Sequence, residues 1–317
     1  MRHFLSMYDV TADEIRRIFA IAEDLKAKFE AGIRQPLLPG RTMALLFEKP
    51  SLRTRVSFEA AMTHLGGGGI FLSSDSGFGK RETVADFARV LGQYVDVIVM
   101  RAFQHATVVE LARHATCPVI NGLTDCAHPC QALGDLFTLR EMVGGLGGQT
   151  LAFVGDGNNV ARSLAVGCAK LGLRMVAVSP PGYELDNAFL ARLRQDVPGC
   201  QIEVTTDAAA GVAGAVAVYT DVWASMGQES QRQQRQRDFA AYQVNAALMS
   251  HAPDDALVMH CLPARRGEEI TDEVMDSPQS VVLQQAANRM HAQKGLLAWL
   301  LGSCLASVGT GMVGPLG

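Results

Sequence analysis

Apolar residues gather in short runs at 42–47, 95–100, 150–154, 175–178 and 256–259, with the charged Asp96 inside the second. Between these runs, apolar positions recur every three or four residues. Runs of strand length without a polar interruption read as strands covered on both faces, and the stretches between them as the covering helices. Thr11 opens a helix to about residue 29, with Ile15, Ile18, Phe19, Ala22 and Leu25 on one face. Helices are predicted again over 82–94, 105–115, 129–143, 160–171 and 288–301. Further strands are predicted at 70–72, 119–120, 201–205, 215–219 and 281–283. The Gln- and Arg-rich stretch 228–237 holds few apolar residues and reads as a solvated loop or helix. Strand–helix alternation of this kind predicts an α/β fold of two doubly wound parallel-sheet (Rossmann-like) domains. The glycines of 144–148 mark the boundary. Residues 1–143 then form one domain and 149–285 the other, with the C-terminal stretch 288–317 packing back on the first.

In open parallel sheets, ligands bind beyond the carboxyl ends of the strands. The first run ends in Phe47-Glu48-Lys49-Pro50-Ser51-Leu52-Arg53-Thr54-Arg55, and a helix comes next. Ser51 is the expected N-cap. The first N–H groups of that helix have no partners within it and point outward at its positive end. With the Ser51 and Thr54 hydroxyls and the guanidinium groups of Arg53 and Arg55, this is the chemistry of a phosphate site. Arg101 follows the second run, and His128 precedes Pro129 at the next helix start, with Gln131 three residues on. Residues 73–80, with Gly77 and Gly79, read as an exposed connector or a lid.

In the second half, Gly155-Asp156-Gly157 follows a strand but Val160 stands at the third glycine position of a dinucleotide fingerprint. The next strand ends in Ser179-Pro180-Pro181, without the acidic residue that holds a ribose. Asn158 and Asn159 offer amides for a small polar ligand instead. Asp221 and His260-Cys261-Leu262-Pro263 stand at two further strand ends. Cys261 taken singly reads as a buried, inert thiol.

Composition narrows this picture. Hydrophobic residues make up 48% of 317, enough for large cores, and a net charge of -4 argues against a nucleic-acid partner. An anionic ligand must therefore be met by a local group of arginines. Seven scattered cysteines without metal-type spacing suggest a reducing, cytoplasmic compartment and no metal site. No signal peptide or membrane span is expected.

The Ser-Leu-Arg-Thr, His-Pro-Cys-Gln, Asp221…Ser225-Met226-Gly227 and His-Cys-Leu-Pro motifs, with Asn288-Arg289 after them, resemble those of the aspartate/ornithine carbamoyltransferase family, in family order and over essentially the whole chain. The Ser-Met-Gly and His-Cys-Leu-Pro pair resembles the ornithine-using members. Arg265 departs from the His expected in many relatives and lies outside the motif. The resemblance implies carbamoyl transfer from carbamoyl phosphate to the δ-amine of ornithine, giving citrulline and phosphate. No organic cofactor, metal or covalent enzyme intermediate is implied. It places carbamoyl phosphate on Ser51, Leu52, Arg53, Thr54, Arg101, His128, Gln131, Cys261, Leu262 and Arg289. Ornithine falls to Asn159, Asp221, Ser225 and Met226, and the catalytic roles to Arg101, His128 and Cys261. It further implies a cleft between the domains and a homotrimer with shared active sites. A sibling acting on putrescine or N-acetylornithine, a nicotinamide-dependent dehydrogenase and a catalytically silent binding protein are the competing readings.

Overall fold

The computed structural model describes residues 1–73, 78–79, 81–224 and 229–306. Its contacts divide the chain into two units, Met1–Asp125 with Met290–Gly317, and Cys126–Arg289.

Unit 1 holds a four-stranded parallel sheet in the order β2-β1-β3-β4, from β1 (Thr42–Phe47), β2 (Gly68–Leu72), β3 (Val97–Arg101) and β4 (Val119–Leu123). Every residue of β3 and all of β1 but Thr42 are buried, as unbroken apolar runs require. Each fully buried Leu, Val or Met contributes about 1.5–3 kcal/mol, so a one-residue slip would cost several such contacts. Phe4 adds a parallel bridge to Ile120 at the β4 edge. The helices are α1 (Ala12–Glu30), α2 (Leu52–His64), α3 (Val84–Tyr94) and α4 (His105–His114). Thr11 caps α1 through a reciprocal bond with Glu14.

Unit 2 opens with α5 (Pro129–Val143). Its sheet runs β7-β6-β5-β8-β9, all parallel, from β5 (Thr150–Val154), β6 (Arg174–Val178), β7 (Ile202–Thr205), β8 (Ala217–Thr220) and β9 (Leu257–His260). Its helices include α6 (Asn159–Leu171), α7 (Asn187–Asp196), α8 (Ala208–Val212), α9 (Arg232–Asp238), α10 (Ala246–Met249) and α11 (Asp272–Met275).

Two expectations change. The strand predicted at 281–283 is the start of α12 (Val282–Ala306), which begins two turns earlier than the pattern suggested. Ser280 bridges to the sheet at Val258; Val281 and Val282 are then both buried, Leu283 is 81% exposed and burial returns at Gln285, a helical rather than a strand spacing. The polar stretch around 232–238 is not simply solvated, because Arg235 is buried against Asp156 at 2.8 Å and the Trp223 carbonyl at 2.7 Å. From Met290 onward α12 lies on α1. A Cβ at Gly295 would come within 2.5 Å of the Ile18 carbonyl, so only glycine permits that approach. The possible lid falls largely at 74–77 and 80, outside the described residues, as does the tail from 307.

Candidate active site

In each sheet, one point separates strands whose connections run in opposite directions. In unit 1 it lies between β1 and β3, in unit 2 between β5 and β8. Loops diverge there and leave a crevice at the carboxyl ends. Ser51, Thr54 and Arg101 lie at the first point, and Asn158 and Asp221 at the second.

At the unit 1 point, Ser51 has extended backbone angles, and its Oγ accepts the Thr54 N–H at 3.3 Å, capping α2. Arg101 ends β3 in register with Phe47, and its Nη1 donates to Thr54 Oγ1 at 3.3 Å. Ser51 Oγ donates to the same oxygen at 3.0 Å. The Glu48 N–H reaches the Arg101 carbonyl at 2.9 Å, and its carboxylate takes the Phe103 N–H at 2.7 Å, so the loop before the cap is tied to the end of β3. Leu52 is 76% exposed, so its contribution is the outward N–H at the helix start rather than its side chain. Arg53 is half-buried. Arg55 turns aside, paired with Glu59 at 3.1 Å and 3.9 Å above the Phe71 ring. Lys49, to which the motif alone gave no role, joins the basic group: burial, then the Arg101 charge, lowers its pKa.

His128 stands at the N-cap position of α5 with Pro129 in the first turn, and its N–H donates to Ser163 Oγ at 2.8 Å. Gln131 is buried on the same turn, its N–H on the His128 carbonyl. Arg289 crosses α5 at Gly134, where an added Cβ would lie 3.3 Å from its Cγ, and its charge reaches both Cys130 and Asp135. His128, Gln131 and Arg289 therefore share one end of α5 within unit 2.

Beyond β8, Asp221 Oδ1 accepts the Cys261 thiol at 2.9 Å and the Val222 N–H at 2.8 Å. Its Oδ2 accepts the Asn158 amide at 2.8 Å. Asn158 is thus bonded to Asp221, and its amide oxygen caps α6 through the Val160 and Ala161 N–H groups. Asn159 is the first residue of α6, one position on. Burial, then the neighbouring Asp221 carboxylate, pushes the Cys261 thiol well above its ordinary pKa. It is a neutral hydrogen-bond donor rather than a thiolate nucleophile.

His260 is held from both sides. Its Nδ1 accepts the Leu262 N–H at 2.8 Å, so the ring proton sits on Nε2, which faces Glu269 Oε1 at 3.0 Å. Leu262 has φ of 56°, a left-handed conformation costing about 1–2 kcal/mol in a residue with a Cβ. The bond to His260 holds it there, and the Leu262–Pro263 peptide is cis. Ligand atoms of Asp221, His260 and Cys261 lie within 4.8 Å of one another. Each already has an internal partner, so the cluster is satisfied as hydrogen bonds. Ser225 and Met226 lie outside the described residues.

The glycine-rich turn after β5 is explained by packing. Gly157 N–H meets the Tyr183 carbonyl at 2.8 Å, and a Cβ on Gly157 would fall 2.6 Å from the Glu184 backbone. The chain at 183–185 fills the space that a fingerprint glycine leaves for a pyrophosphate. Sequence patterns missed Glu269 and the buried polar residues behind Gln131. Of the latter only Asp135, four residues along the same helix, carried a signal in its spacing.

Comparison with known proteins bears on both halves. Residues 2–141 match the family model described as aspartate/ornithine carbamoyltransferase, carbamoyl-P binding domain. Residues 147–300 match the model for the Asp/Orn binding domain of the same family. An ornithine carbamoyltransferase of Oceanobacillus iheyensis is 51% identical over 303 residues, covering 95% of this chain and 94% of the relative. The anabolic ornithine carbamoyltransferase of Pyrococcus furiosus is 48% identical over 304 residues, covering 95% and 96%. The solved structure of an ornithine carbamoyltransferase from P. furiosus superposes with a TM-score of 0.92 over 95% of this chain and 97% of that one, at 48% identity. The anabolic enzyme from Campylobacter jejuni, 35% identical, gives 0.90 over 96% and 100%. Matches spanning both halves, at identities near one half, agree with the clusters at the two strand-order reversals: this chain belongs to the aspartate/ornithine carbamoyltransferase family.

Proposed function

We propose that this chain transfers the carbamoyl group of carbamoyl phosphate to the δ-amine of L-ornithine, releasing L-citrulline and phosphate. The observation that carries the reading is Arg101, its guanidinium bonded to the Thr54 hydroxyl at the capped start of α2. A fixed cation, a hydroxyl pair and free helix N–H groups then meet one phosphate.

In this reading Ser51, the N–H groups of Leu52 and Arg53, the Arg53 side chain, Thr54 and Arg101 hold the phosphate. Thr54, Arg101, His128 and Arg289 face the carbonyl oxygen, and Gln131 faces the carbamoyl amide. Cys261 and Leu262 border the carbamoyl group and the incoming amine. Asn159, Asp221, Ser225 and Met226 hold the amino-acid end of ornithine. The δ-ammonium first loses a proton to solvent, and the lone pair of the resulting amine attacks the carbonyl carbon, leaving that nitrogen with a further proton to shed. Negative charge gathers on the carbonyl oxygen, where fixed donors are worth most. The tetrahedral intermediate collapses by breaking the bond to the phosphate oxygen, and the departing phosphate accepts the proton. Cys261 supports the amine through Asp221 and forms no bond to carbon. Placement and electrostatics supply the rate.

The same residues predict ordered binding, with carbamoyl phosphate first. Tight ornithine binding in its absence, measured by calorimetry, would contradict the order. We further propose a homotrimer with shared active sites, which light scattering reads directly as a mass three times that of the chain. A cytoplasmic location accords with the described cysteines, all free, and with the lack of any described helix long and apolar enough to cross a membrane. The deciding test is citrulline formation by purified protein given both substrates. A panel containing putrescine and N-acetylornithine identifies the amine, and preference for either would displace ornithine.

A further inference from the structure

Behind Gln131 lies a carboxylate that the proposed transfer reaction does not use. Asp135 sits on α5 at 1% exposure. Its Oδ1 accepts the Gln131 amide at 2.8 Å and the Gln285 amide at 2.6 Å, and its Oδ2 accepts the Tyr219 hydroxyl at 3.0 Å. All three partners are buried. All three are donors, so an ionised carboxylate, which only accepts, satisfies them together.

Each arm ends at the site. Gln285 takes the His260 N–H on its Oε1 at 2.9 Å, which fixes the end of β9 just before Cys261. Tyr219 stands close enough to Cys261 for each to influence the other's ionisation. Gln131 gives an N–H of its NH2 group to Asp135, which fixes the amide in one orientation. Its oxygen is the acceptor left to meet a ligand. An acceptor held there satisfies a terminal N–H and leaves a methyl group facing an unpaired buried oxygen. Sites of this type reject the analogue lacking the hydrogen bond far more strongly than apolar pockets reject a size change.

We propose that Asp135 is a positioning residue that locks the Gln131 amide oxygen toward the ligand and so makes the site select a carbamoyl group over an acetyl group on the same phosphate. The inference rests on the proposed function, in which Gln131 faces the carbamoyl amide.

Asp135 also gives the lock a pH limit. Burial pushes its pKa up to about 6, against the pull of Gln285, Gln131, Tyr219 and the Arg289 charge. The titratable and charged groups around it are Arg289 on α12, Tyr219 on β8, Cys168 on α6 and Cys261 beyond β9. A protonated Asp135 turns an acceptor into a donor facing donors, and the lock loosens as pH falls through that value.

The test compares Asp135→Leu and Asp135→Asn with the unaltered protein. Steady-state kinetics with carbamoyl phosphate and inhibition by acetyl phosphate are the readouts. Asn keeps one oxygen for both glutamines and turns its NH2 to Tyr219, whose hydroxyl can rotate to accept. We expect Asp135→Leu to raise the KM for carbamoyl phosphate at least tenfold and to cut discrimination against acetyl phosphate at least tenfold. Asp135→Asn should restore that discrimination and lose the acid limb near pH 6 in the kcat/KM profile. In a Gln131→Ala background, Asp135→Leu should change discrimination no further. Unchanged discrimination in folded Asp135→Leu overturns the proposal. If Asp135→Leu does not fold, Asp135→Asn decides: a persisting limb near pH 6 overturns the proposal and its loss supports it. Failure of the unaltered protein to form citrulline would sink the functional reading instead, which separates the two.

Discussion

Ser51, Thr54 and Arg101 in unit 1 take their positions from one strand end, one helix cap and the adjoining strand. Asp221, Cys261 and Gln131 in unit 2 take theirs from the ends of β8 and β9 and the start of α5, joined by a buried web of side chains. The unit 1 cluster takes Ser51 and Thr54 from one helix start and Arg101 from the adjoining strand, and it rests on backbone geometry. The unit 2 cluster is distributed and rests on satisfied polar groups, each costly to leave unpaired. A group presenting N–H donors to a phosphate needs little else, because a helix start supplies them. A group that must orient an amine and read an amide needs fixed acceptors, and those come from side chains whose own hydrogen bonds hold them.

The largest effect should come from Arg101→Ala. Loss of one donor and its charge from the anion side should cut turnover roughly 10²–10³-fold. The far-ultraviolet spectrum should stay intact, because β3 keeps its ladder. Unchanged citrulline kinetics would refute the assigned role. Next comes Cys261→Ser, which replaces the thiol on Asp221 with a shorter hydroxyl. We expect roughly tenfold weaker ornithine use with carbamoyl phosphate affinity preserved, consistent with losing about 1.4 kcal/mol. Mass spectrometry that trapped a carbamoyl group on Cys261 would overturn the non-covalent path. Ser51→Ala sharpens the comparison from the local side. It removes the cap of α2, worth about 1 kcal/mol in denaturant unfolding of unit 1, and should raise the KM for carbamoyl phosphate rather than that for ornithine.

The smallest effect tests the frame of unit 1 away from the site. Lys294 on α12 is buried against the Leu25 carbonyl and the Phe29 ring. Burial first, then the Arg34 charge, lowers its pKa from 10.5 to about 8. Between those values the unfolded chain binds more protons than the folded one, so stability should rise as pH climbs from about 8 toward 10.5. Below about 8 both states are charged and the burial cost is present in full. Lys294→Met should flatten that rise, and an unchanged pH slope in denaturant titrations would show that Lys294 does not titrate there.

The local cluster was legible along the chain. An apolar run, a Ser at the cap position and Thr54 three residues on are neighbours in sequence, and their geometry comes from helix and strand periods alone. Arg101 could be placed at a strand end for the same reason, but its bond to Thr54 depends on β1 and β3 lying side by side. The distributed cluster was legible only in its end members. Asp221 and Cys261 are visible at strand ends, but the 2.9 Å contact between them depends on β8 and β9 lying side by side. The strand mistaken at 281–283 shows the same limit from the other side. Three apolar residues fit either period, and the single bridge at Ser280 with a helix start directly after it is a tertiary outcome.

By itself, then, the order of apolar and polar residues determined the strands and helices, the helix caps and the phosphate-type stretch, because each depends on contacts within a few residues. Tertiary structure decided which buried side chains complete the second cluster. Asp135, Tyr219 and Gln285 are separated by up to 150 residues, and only strand order and helix packing bring their polar atoms within bonding distance. Hydrogen bonds act over about 3 Å, and no spacing rule along a chain encodes a contact of that range between distant segments.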